Sequence, residues 1–495
     1  MTANLTPEMQ LLLRRRLQQK KGDGAIPRRA GARDRFPLSL AQQRLWTQYR
    51  QQPESTAYNV VKGYRFGGDG QPPVDLPLLE SCFNQVVQRH ESLRTVFREE
   101  GGQAMQVVLP SLHVTMHYVD ARGSGIDMAQ QWADREADTP FDLERGPLLR
   151  LRAVQIDERS FAVLVSLHHI IFDGWSSGVF LDDMTAFYRG AVTGAAPSLA
   201  PLPIQYGDYA AWQREQVLGE AGEAEMRFWR LQLGDAAPLT FASDRPRPLV
   251  PSGRGGSVQF AFSKELSEAL VAFSRRENVT TFMLVLAAYY VLLARISGSE
   301  QLLVGTLMAG RQRKETERLI GYLVNTLVLR GDVSGQPAFR ELLQRVRESA
   351  LAAFAHQEFP YERLADELRP DGTPLVQAML IVHNWKKHSH VEDGFHMSTV
   401  AATRQTSRFD LSLGLEELDT WCGSLEYATD LFDESTARGL VAQFEQILTT
   451  VILSREDGEG SPSDGAHPVL RQGILRPSTR AQDDSNPEVL LAAHS

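Results

Sequence analysis

Residues 161–177 read Phe-Ala-Val-Leu-Val-Ser-Leu-His-His-Ile-Ile-Phe-Asp-Gly-Trp-Ser-Ser, and this stretch decides the fold. Its apolar, β-branched first part, Phe161 to Leu167, predicts a buried strand. Two histidines follow, at the point where the backbone leaves the sheet. Gly174 permits a tight turn, and apolar residues at helical spacing from Val179 to Tyr188 predict a helix after it.

The fixed residues of this stretch form the pattern His168-His169-x-x-x-Asp173-Gly174. Neighbouring residues of a strand point to opposite faces, so one histidine can face a cleft while the other packs behind it. Asp173 is close enough to fold back and fix the turn by pairing with an arginine. The alternative interpretation is a strand end whose histidines only satisfy local polar groups. A four-residue match stays a hypothesis until its context agrees.

Further blocks of sequence supply that context over residues 36–450. They read Ser39-Leu40-Ala41-Gln42-Gln43-Arg44-Leu45-Trp46, Arg89-His90-Glu91-Ser92-Leu93-Arg94-Thr95-Val96-Phe97, Tyr206-Gly207-Asp208-Tyr209-Ala210-Ala211-Trp212, Ile320-Gly321-Tyr322-Leu323-Val324-Asn325-Thr326-Leu327 and His356-Gln357-Glu358-Phe359-Pro360-Tyr361-Glu362. Together with the histidine motif, these blocks resemble, in order, the signatures of condensation domains from nonribosomal peptide synthetases. One block departs from the family. Residues 369–377, Arg-Pro-Asp-Gly-Thr-Pro-Leu-Val-Gln, lack its Ser-Arg pair, which leaves the details of partner and acceptor recognition open.

The resemblance implies an α/β fold with α+β layering, in which two chloramphenicol-acetyltransferase-like lobes form a V-shaped pseudo-dimer around an inter-lobe channel. The second half alternates strands with helices, which favours the same layering. The predicted strands are Val258–Phe262, Gln301–Thr306 and Leu375–His383, and the predicted helices are Lys264–Glu277, Thr280–Ile296 and Phe339–His356. We expect an N-terminal helix (Pro7 to Gln19) and basic linker over 1–35, lobes over 36–200 and 201–455, and a flexible tail over 456–495.

Composition restricts the class of protein. The 495 residues are 42% hydrophobic and 23% charged, as in ordinary globular proteins, and the formal net charge is -9. No basic domain stands out, so we expect no nucleic-acid binding. Basic runs at Arg14–Arg16 and Arg311–Lys314 are the local exceptions, and both could serve a phosphate-bearing partner. Two cysteines in different halves predict neither a disulfide framework nor a metal site. With no export segment or membrane span in view, we expect a cytoplasmic monomer.

The implied chemistry is amide formation. In the family, an upstream carrier protein presents an acyl or peptidyl thioester on a phosphopantetheine arm, and a downstream carrier presents an aminoacyl thioester whose amine attacks it. We therefore expect donor and acceptor peptidyl carrier proteins as partners and no bound cofactor. The resemblance implies that the second histidine of the signature, His169, lies at the reacting centre. It can act as a base, orient the amine or stabilise the tetrahedral intermediate, and the sequence leaves these roles open.

The other candidates have supporting roles. His168, Asp173 and Gly174 complete the catalytic motif with His169. We expect His168 behind His169, with structural support as the alternative, and we expect Asp173 to be architectural rather than catalytic. The resemblance implies a salt bridge from Asp173 to an arginine of the second block, with Arg94 as the candidate and Arg89 as the alternative. The backbone N–H near Gly174 is a candidate oxyanion donor. The candidate channel residues are Trp175, Ser176, Tyr206, Trp212 and Asn325. Core packing is the competing interpretation for the aromatic residues, and a polar turn is the competing interpretation for Asn325.

Three functional classes remain open. The intact motif favours a condensation enzyme over a non-catalytic docking module, and the block order favours it over a free-standing acyltransferase that uses acyl-CoA. The start at Met1, followed by a charged helix, leads us to expect a stand-alone, terminal or first-position domain, the last of which would attach a fatty acyl group. The sequence reveals neither the donor nor the acceptor.

Overall fold

The computed structural model describes residues 25–29, 31, 33–67, 75–123, 125–234, 236–383, 398–400 and 406–453. The expected N-terminal helix, the basic run Arg14–Arg16 and the expected tail over 456–495 lie outside the described residues.

The strands form three sheets. In chain order they are β1 (Arg35–Pro37), β2 (Asn59–Gly67), β3 (Thr95–Glu100), β4 (Gln103–Val108), β5 (Met116–Asp120), β6 (Leu149–Gln155), β7 (Ser160–His168), β8 (Gly255–Ala261), β9 (Gln301–Met308), β10 (Asn325–Asp332), β11 (Ala378–His383), β12 (Ser398–Val400), β13 (Leu411–Glu417) and β14 (Trp421–Ala428). A small sheet has the order β1-β4-β3. The N-terminal sheet has the order β12-β2-β7-β6-β5, and the C-terminal sheet has the order β10-β9-β11-β13-β14-β8.

Helices pack against both large sheets. They are α1 (Leu40–Gln51), α2 (Leu76–Arg89), α3 (Gly125–Ala137), α4 (Gly174–Thr193), α5 (Tyr206–Leu218), α6 (Glu220–Leu233), α7 (Lys264–Arg276), α8 (Thr281–Ser297), α9 (Lys314–Glu317), α10 (Phe339–Ala355), α11 (Tyr361–Leu368) and α12 (Glu434–Leu453). Short 3₁₀ turns cover Glu91–Arg94 and His169–Ile171. The predicted strands and helices of the second half are confirmed to within a few residues at their ends.

The position of the histidine motif follows from β7. Eight of its nine residues are buried, because the strand lies inside the N-terminal sheet with β2 and β6 as antiparallel neighbours. Helices α2 and α4 cover this sheet, and Phe83 of α2 packs edge-on against Phe180 of α4 with ring centroids 5.6 Å apart. The strand therefore delivers its last residue, His168, to a fixed edge of a packed core.

Helix α8 forms the centre of the second core. Its side chains from Met283 to Ala294 are all buried, which agrees with its apolar sequence and with a helix surrounded by protein. The Thr280 hydroxyl accepts a hydrogen bond from Met283 N at 3.1 Å and so caps its start. Gly298, at a φ of 68°, ends it.

The two halves of the sequence are interleaved. Strand β12 comes from the second half of the chain, yet it forms the edge of the N-terminal sheet and pairs antiparallel with β2, with Ser398 opposite Arg65 and Val400 opposite Gly63. Ile320 likewise lies in the core beneath the N-terminal sheet. Contacts across residue 200 are therefore built into the fold.

Among the described residues, no single helix has the length and hydropathy of a membrane span. Helices α7 and α8 reach that threshold only as a pair, which is bent by 105°.

Candidate active site

The two histidines of the motif differ in how far their rings are buried. His168 ends β7 and is 5% exposed, with its ring about 6 Å from the rings of Tyr58 and Phe141. Its Nδ1 accepts a hydrogen bond from Ile170 N at 3.2 Å and so caps the start of the 3₁₀ turn. This geometry gives His168 the expected supporting place behind the site.

The ring of His169 is only partly buried, unlike that of His168. Its backbone N–H donates to Tyr58 O at 2.8 Å, and its ring meets the Tyr322 ring edge-on at 5.0 Å. Nδ1 is buried and makes no hydrogen bond of ordinary geometry with any described residue, although the carbonyl groups of His169 and Phe172 lie near enough to raise its pKa. Nε2 is therefore the ring nitrogen left to face a substrate.

Burial lowers the pKa of His169 to about 4, because the charged imidazolium loses its hydration. The positive charge of Arg408 lowers the pKa further, while the negative charge of Asp173 opposes both effects. The ring is consequently neutral near pH 7 and able to accept a proton. It is a weaker base than an exposed histidine, so positioning has to supply much of any acceleration.

Asp173 pairs with Arg311, so the prediction that its partner is Arg94 is wrong. Arg311 Nη1 donates to Asp173 Oδ2 at 2.7 Å and Nη2 donates to Oδ1 at 3.0 Å, with both side chains 1% exposed. The carboxylate also accepts from Ser176 N at 2.9 Å and Leu323 N at 3.0 Å, so it caps α4 and anchors the chain around residue 323. The pair joins two residues that lie 138 positions apart.

The arginines of the second block have other partners. Arg94 donates to Leu109 O, because the 3₁₀ turn that carries it points the side chain towards the residues after β4. Arg89 Nε, the alternative candidate, donates at 2.9 Å to Oδ2 of Asp183, which lies further along α4 than the motif. Asp183 is fully buried and also binds His90 and Arg318. The second block therefore does hold α4, but through a different aspartate.

The residues around the helix start take structural roles. Gly174 is exposed at the N-terminus of α4, where the helix dipole favours negative charge. Trp175 is 40% exposed and donates Nε1–H to Glu317 O at 2.9 Å. The Ser176 hydroxyl lies 2.8 Å from Asp173 Oδ1 and accepts a hydrogen bond from Gly321 N at 3.1 Å. Trp175 and Ser176 thus connect the helix start to the chain between residues 317 and 321.

The remaining predicted channel residues contact other parts of the protein. Tyr206 is buried, and its hydroxyl donates to Tyr322 O at 2.7 Å, so it supports the ring that touches His169. Trp212 lies beneath the guanidinium of Arg313, which is 4.5 Å from the ring centroid. The Asn325 amide donates to the carbonyls of Gln357 and Phe359 and accepts from Tyr361 N. These contacts join β10 to the start of α11 and engage all of its hydrogen-bonding groups.

Several residues around His169 were missed by the sequence analysis as site residues. Tyr58 accepts the His169 N–H, Tyr322 packs on its ring, and the charge of Arg408 acts on it. Gln42 Nε2 donates to Ile170 O at 3.0 Å and fixes the turn that carries the histidine. Tyr322 and Gln42 stand inside quoted blocks, so that signal was present. Tyr58 and Arg408 carry no motif.

Comparison with known proteins identifies the family. The profile described as Condensation domain matches residues 32–462. The chain belongs to the condensation-domain family. It is 41% identical over 447 residues, or 88% of its length, to one of the linear gramicidin synthase polypeptides of Brevibacillus parabrevis, and it spans 9% of that polypeptide. It is 37% identical over 429 residues, or 85% of its length, to malpinin synthetase of Mortierella alpina, of which it spans 6%.

Solved structures agree with this assignment. The X-domain in its complex with OxyB from teicoplanin biosynthesis superposes with a TM-score of 0.79 at 26% identity, covering 92% of this chain and 99% of that one. The first condensation domain of the calcium-dependent antibiotic synthetase gives a TM-score of 0.71 at 20% identity, covering 89% and 100%, which shows the fold. The predicted family and the mixed α/β, chloramphenicol-acetyltransferase-like fold with open sheets are confirmed.

Proposed function

We propose that this condensation domain forms an amide bond between a carrier-bound acyl or peptidyl thioester and an acceptor amine, with His169 at the reacting centre. The observation that supports the proposal most strongly is the geometry of His169. Its backbone N–H donates to Tyr58 O, its ring packs edge-on against Tyr322, and its Nδ1 is buried, so we assign Nε2 to the substrate. A neutral imidazole in this position can accept a proton from an attacking amine.

The reaction is balanced without a further reagent. The amine nitrogen attacks the thioester carbonyl, the C–N bond forms, and the carbonyl oxygen becomes an oxyanion. The backbone N–H groups at the exposed start of α4, beginning at Gly174, are the donors we assign to that oxyanion. Collapse breaks the C–S bond, and the proton taken from nitrogen by His169 Nε2 passes to the departing sulfur.

The proposed thioester substrates imply carrier proteins as partners. A phosphopantetheine arm delivers its thioester far from the carrier surface, so the chain itself needs to hold no cofactor. The donor and acceptor carriers are then the partners, and the acceptor is either a carrier-bound aminoacyl group or a free amine. A first-position, stand-alone or terminal role changes the substrate but not this chemistry.

The test is turnover with an acyl thioester on a carrier protein or pantetheine mimic and an aminoacyl or free-amine acceptor. We expect amide product, measured by mass, to fall by about 100-fold or more in His169→Ala, in keeping with general acid–base catalysis and positioning. His117→Ala is the matched control, since His117 is exposed on β5. Product that survives His169→Ala unchanged would remove this residue from the reaction. Product formed from soluble acyl-CoA alone would favour the acyltransferase class.

A docking module is the second candidate function. It is supported by the likeness to the X-domain whose solved structure is a complex with OxyB. Binding of a carrier or enzyme partner, measured by calorimetry, with no product from any thioester and amine pair, would favour this function over catalysis.

A further inference from the structure

Arg408 reaches the N-terminal sheet from the other half of the sequence. In sequence it lies between β12, the edge strand of that sheet beside β2, and β13. Arg408 Nη2 donates to Ala57 O at 2.7 Å, across 351 positions of sequence. Its guanidinium carbon lies 4.3 Å from the centre of the Tyr58 ring, within the range of a cation–π contact.

The two residues that Arg408 touches lead directly to the site. Tyr58 O accepts the backbone N–H of His169 at 2.8 Å, and the Tyr58 ring lies 6.3 Å from the His168 ring. Asn59, the next residue, pairs with His168 across the sheet. A displacement of residues 57 and 58 would therefore move the carbonyl that fixes His169 and the ring that backs its neighbour.

Arg408 forms no ion pair with any of the described residues. Its side chain is exposed, and no carboxylate of the described residues lies within 4.0 Å of it. The other charged groups near His169 are Asp173, whose charge is matched by Arg311, and Arg44 and Glu362 around Tyr322. Arg408 thus contributes both a mechanical contact and an uncompensated positive charge.

We propose that Arg408 is a positioning residue for His169, which couples the segment before β13 to the geometry of the reacting centre through Ala57 and Tyr58. This inference rests on the proposed function and deepens it. The planar guanidinium is suited to the task because it can stack on Tyr58 and donate to Ala57 O at the same time. A lysine would keep the positive charge but lose the planar group that stacks on Tyr58 while it donates to Ala57 O.

Two variants separate the mechanical and electrostatic contributions. We expect Arg408→Lys to lower kcat by about 10-fold or more through misplacement, with KM little changed and the acidic limb of the pH–rate profile unmoved. Arg408→Gln should lower kcat similarly and move that limb to higher pH, since loss of the positive charge removes one cause of the low His169 pKa. Arg276→Gln is the matched control, because Arg276 stacks on Phe273 far from the site and is about half exposed.

Titration of His169 by NMR of ring-labelled histidine gives a readout that does not need turnover. A higher pKa in Arg408→Gln, with the value unchanged in Arg408→Lys and melting temperatures near wild type, supports the proposal. Wild-type kcat and pH profile in Arg408→Gln would overturn it. If the wild-type chain makes no product, the proposed function fails by itself, and an unmoved His169 titration in Arg408→Gln then overturns the positioning role as well.

Discussion

Replacement of Asp173 by asparagine should destabilise the protein strongly although it preserves the shape of the side chain. The carboxylate and the Arg311 guanidinium are each 1% exposed and are joined by two hydrogen bonds. An asparagine can still accept the Ser176 N–H that caps α4. It cannot balance the charge of Arg311, which stays buried without a counterion.

The magnitude follows from that buried charge. Breaking one partner of a buried ion pair costs about 3–5 kcal/mol. With about 2.1 cal/mol/K of unfolding entropy per residue over about 430 residues, this corresponds to a fall in Tm of about 3–6 °C. Asp182→Asn is the matched control on the same helix. Its partner Arg318 is 41% exposed and Asp182 itself is 37% exposed, so we expect less than about 1 kcal/mol.

Scanning calorimetry of the two variants and the wild type is the assay. A transition for Asp173→Asn that coincides with the wild-type transition, or a shift equal to that of Asp182→Asn, would refute the reasoning. A further variant distinguishes the lost charge from lost packing. Arg311→Met combined with Asp173→Asn removes both charges and should recover part of the stability, because no buried charge remains unpaired.

Four further predictions concern His169 and the residues around it. The ratio of wild-type to His169→Ala product formation, in which protonation of the acceptor amine cancels, should stay level as pH falls through 6.5 and decline only near 4, because the pKa of His169 is lowered to about 4. His169 binds its proton at a higher pH in the unfolded chain than in the folded chain. The free energy of unfolding should therefore fall by about 3 kcal/mol between pH 6.5 and 4, and denaturant titrations at each pH would detect this loss. Tyr322→Phe should keep near-wild-type kcat because it retains the ring against His169, whereas Tyr322→Ala should lose about 10-fold or more; equal losses in turnover assays would contradict a packing role. Gly321→Ala should lower Tm, because the added Cβ would lie 2.0 Å from the Tyr206 ring and relieving such overpacking costs about 1–3 kcal/mol; an unchanged melting curve would show that the ring moves freely.

Local pattern was sufficient to predict the elements that carry the motif. The apolar run before His168 became β7, and Gly174 began a helix that continues to Thr193. The predicted helices Lys264–Glu277, Thr280–Ile296 and Phe339–His356 likewise became α7, α8 and α10. These elements follow from residues close together in sequence, where periodicity directly reports which face is buried.

Contacts between distant residues were not predictable in the same way. Arg311 lies in a basic run that the sequence analysis interpreted as serving a phosphate-bearing partner. Nothing in the neighbouring sequence indicates that it is the buried partner of Asp173. Strand β12 has three residues, too few for a periodic pattern. The family resemblance assigned the salt bridge to an arginine of the second block, whereas the partner that the fold brings to Asp173 is Arg311, which lies outside every quoted block.

The placement of His169 depends on three long-range attachments to its short turn. Gln42 holds Ile170, Arg311 holds Asp173, and Tyr58, itself contacted by Arg408, holds the histidine backbone. Two of the three involve an arginine from beyond residue 300. A fragment that ended near residue 200 would retain the complete motif, yet it would bury the Asp173 carboxylate without a cation and leave Tyr58 without its stacked guanidinium. The motif is therefore a sequence unit whose geometry is a property of the whole fold, and its chemistry should be tested only in the full chain.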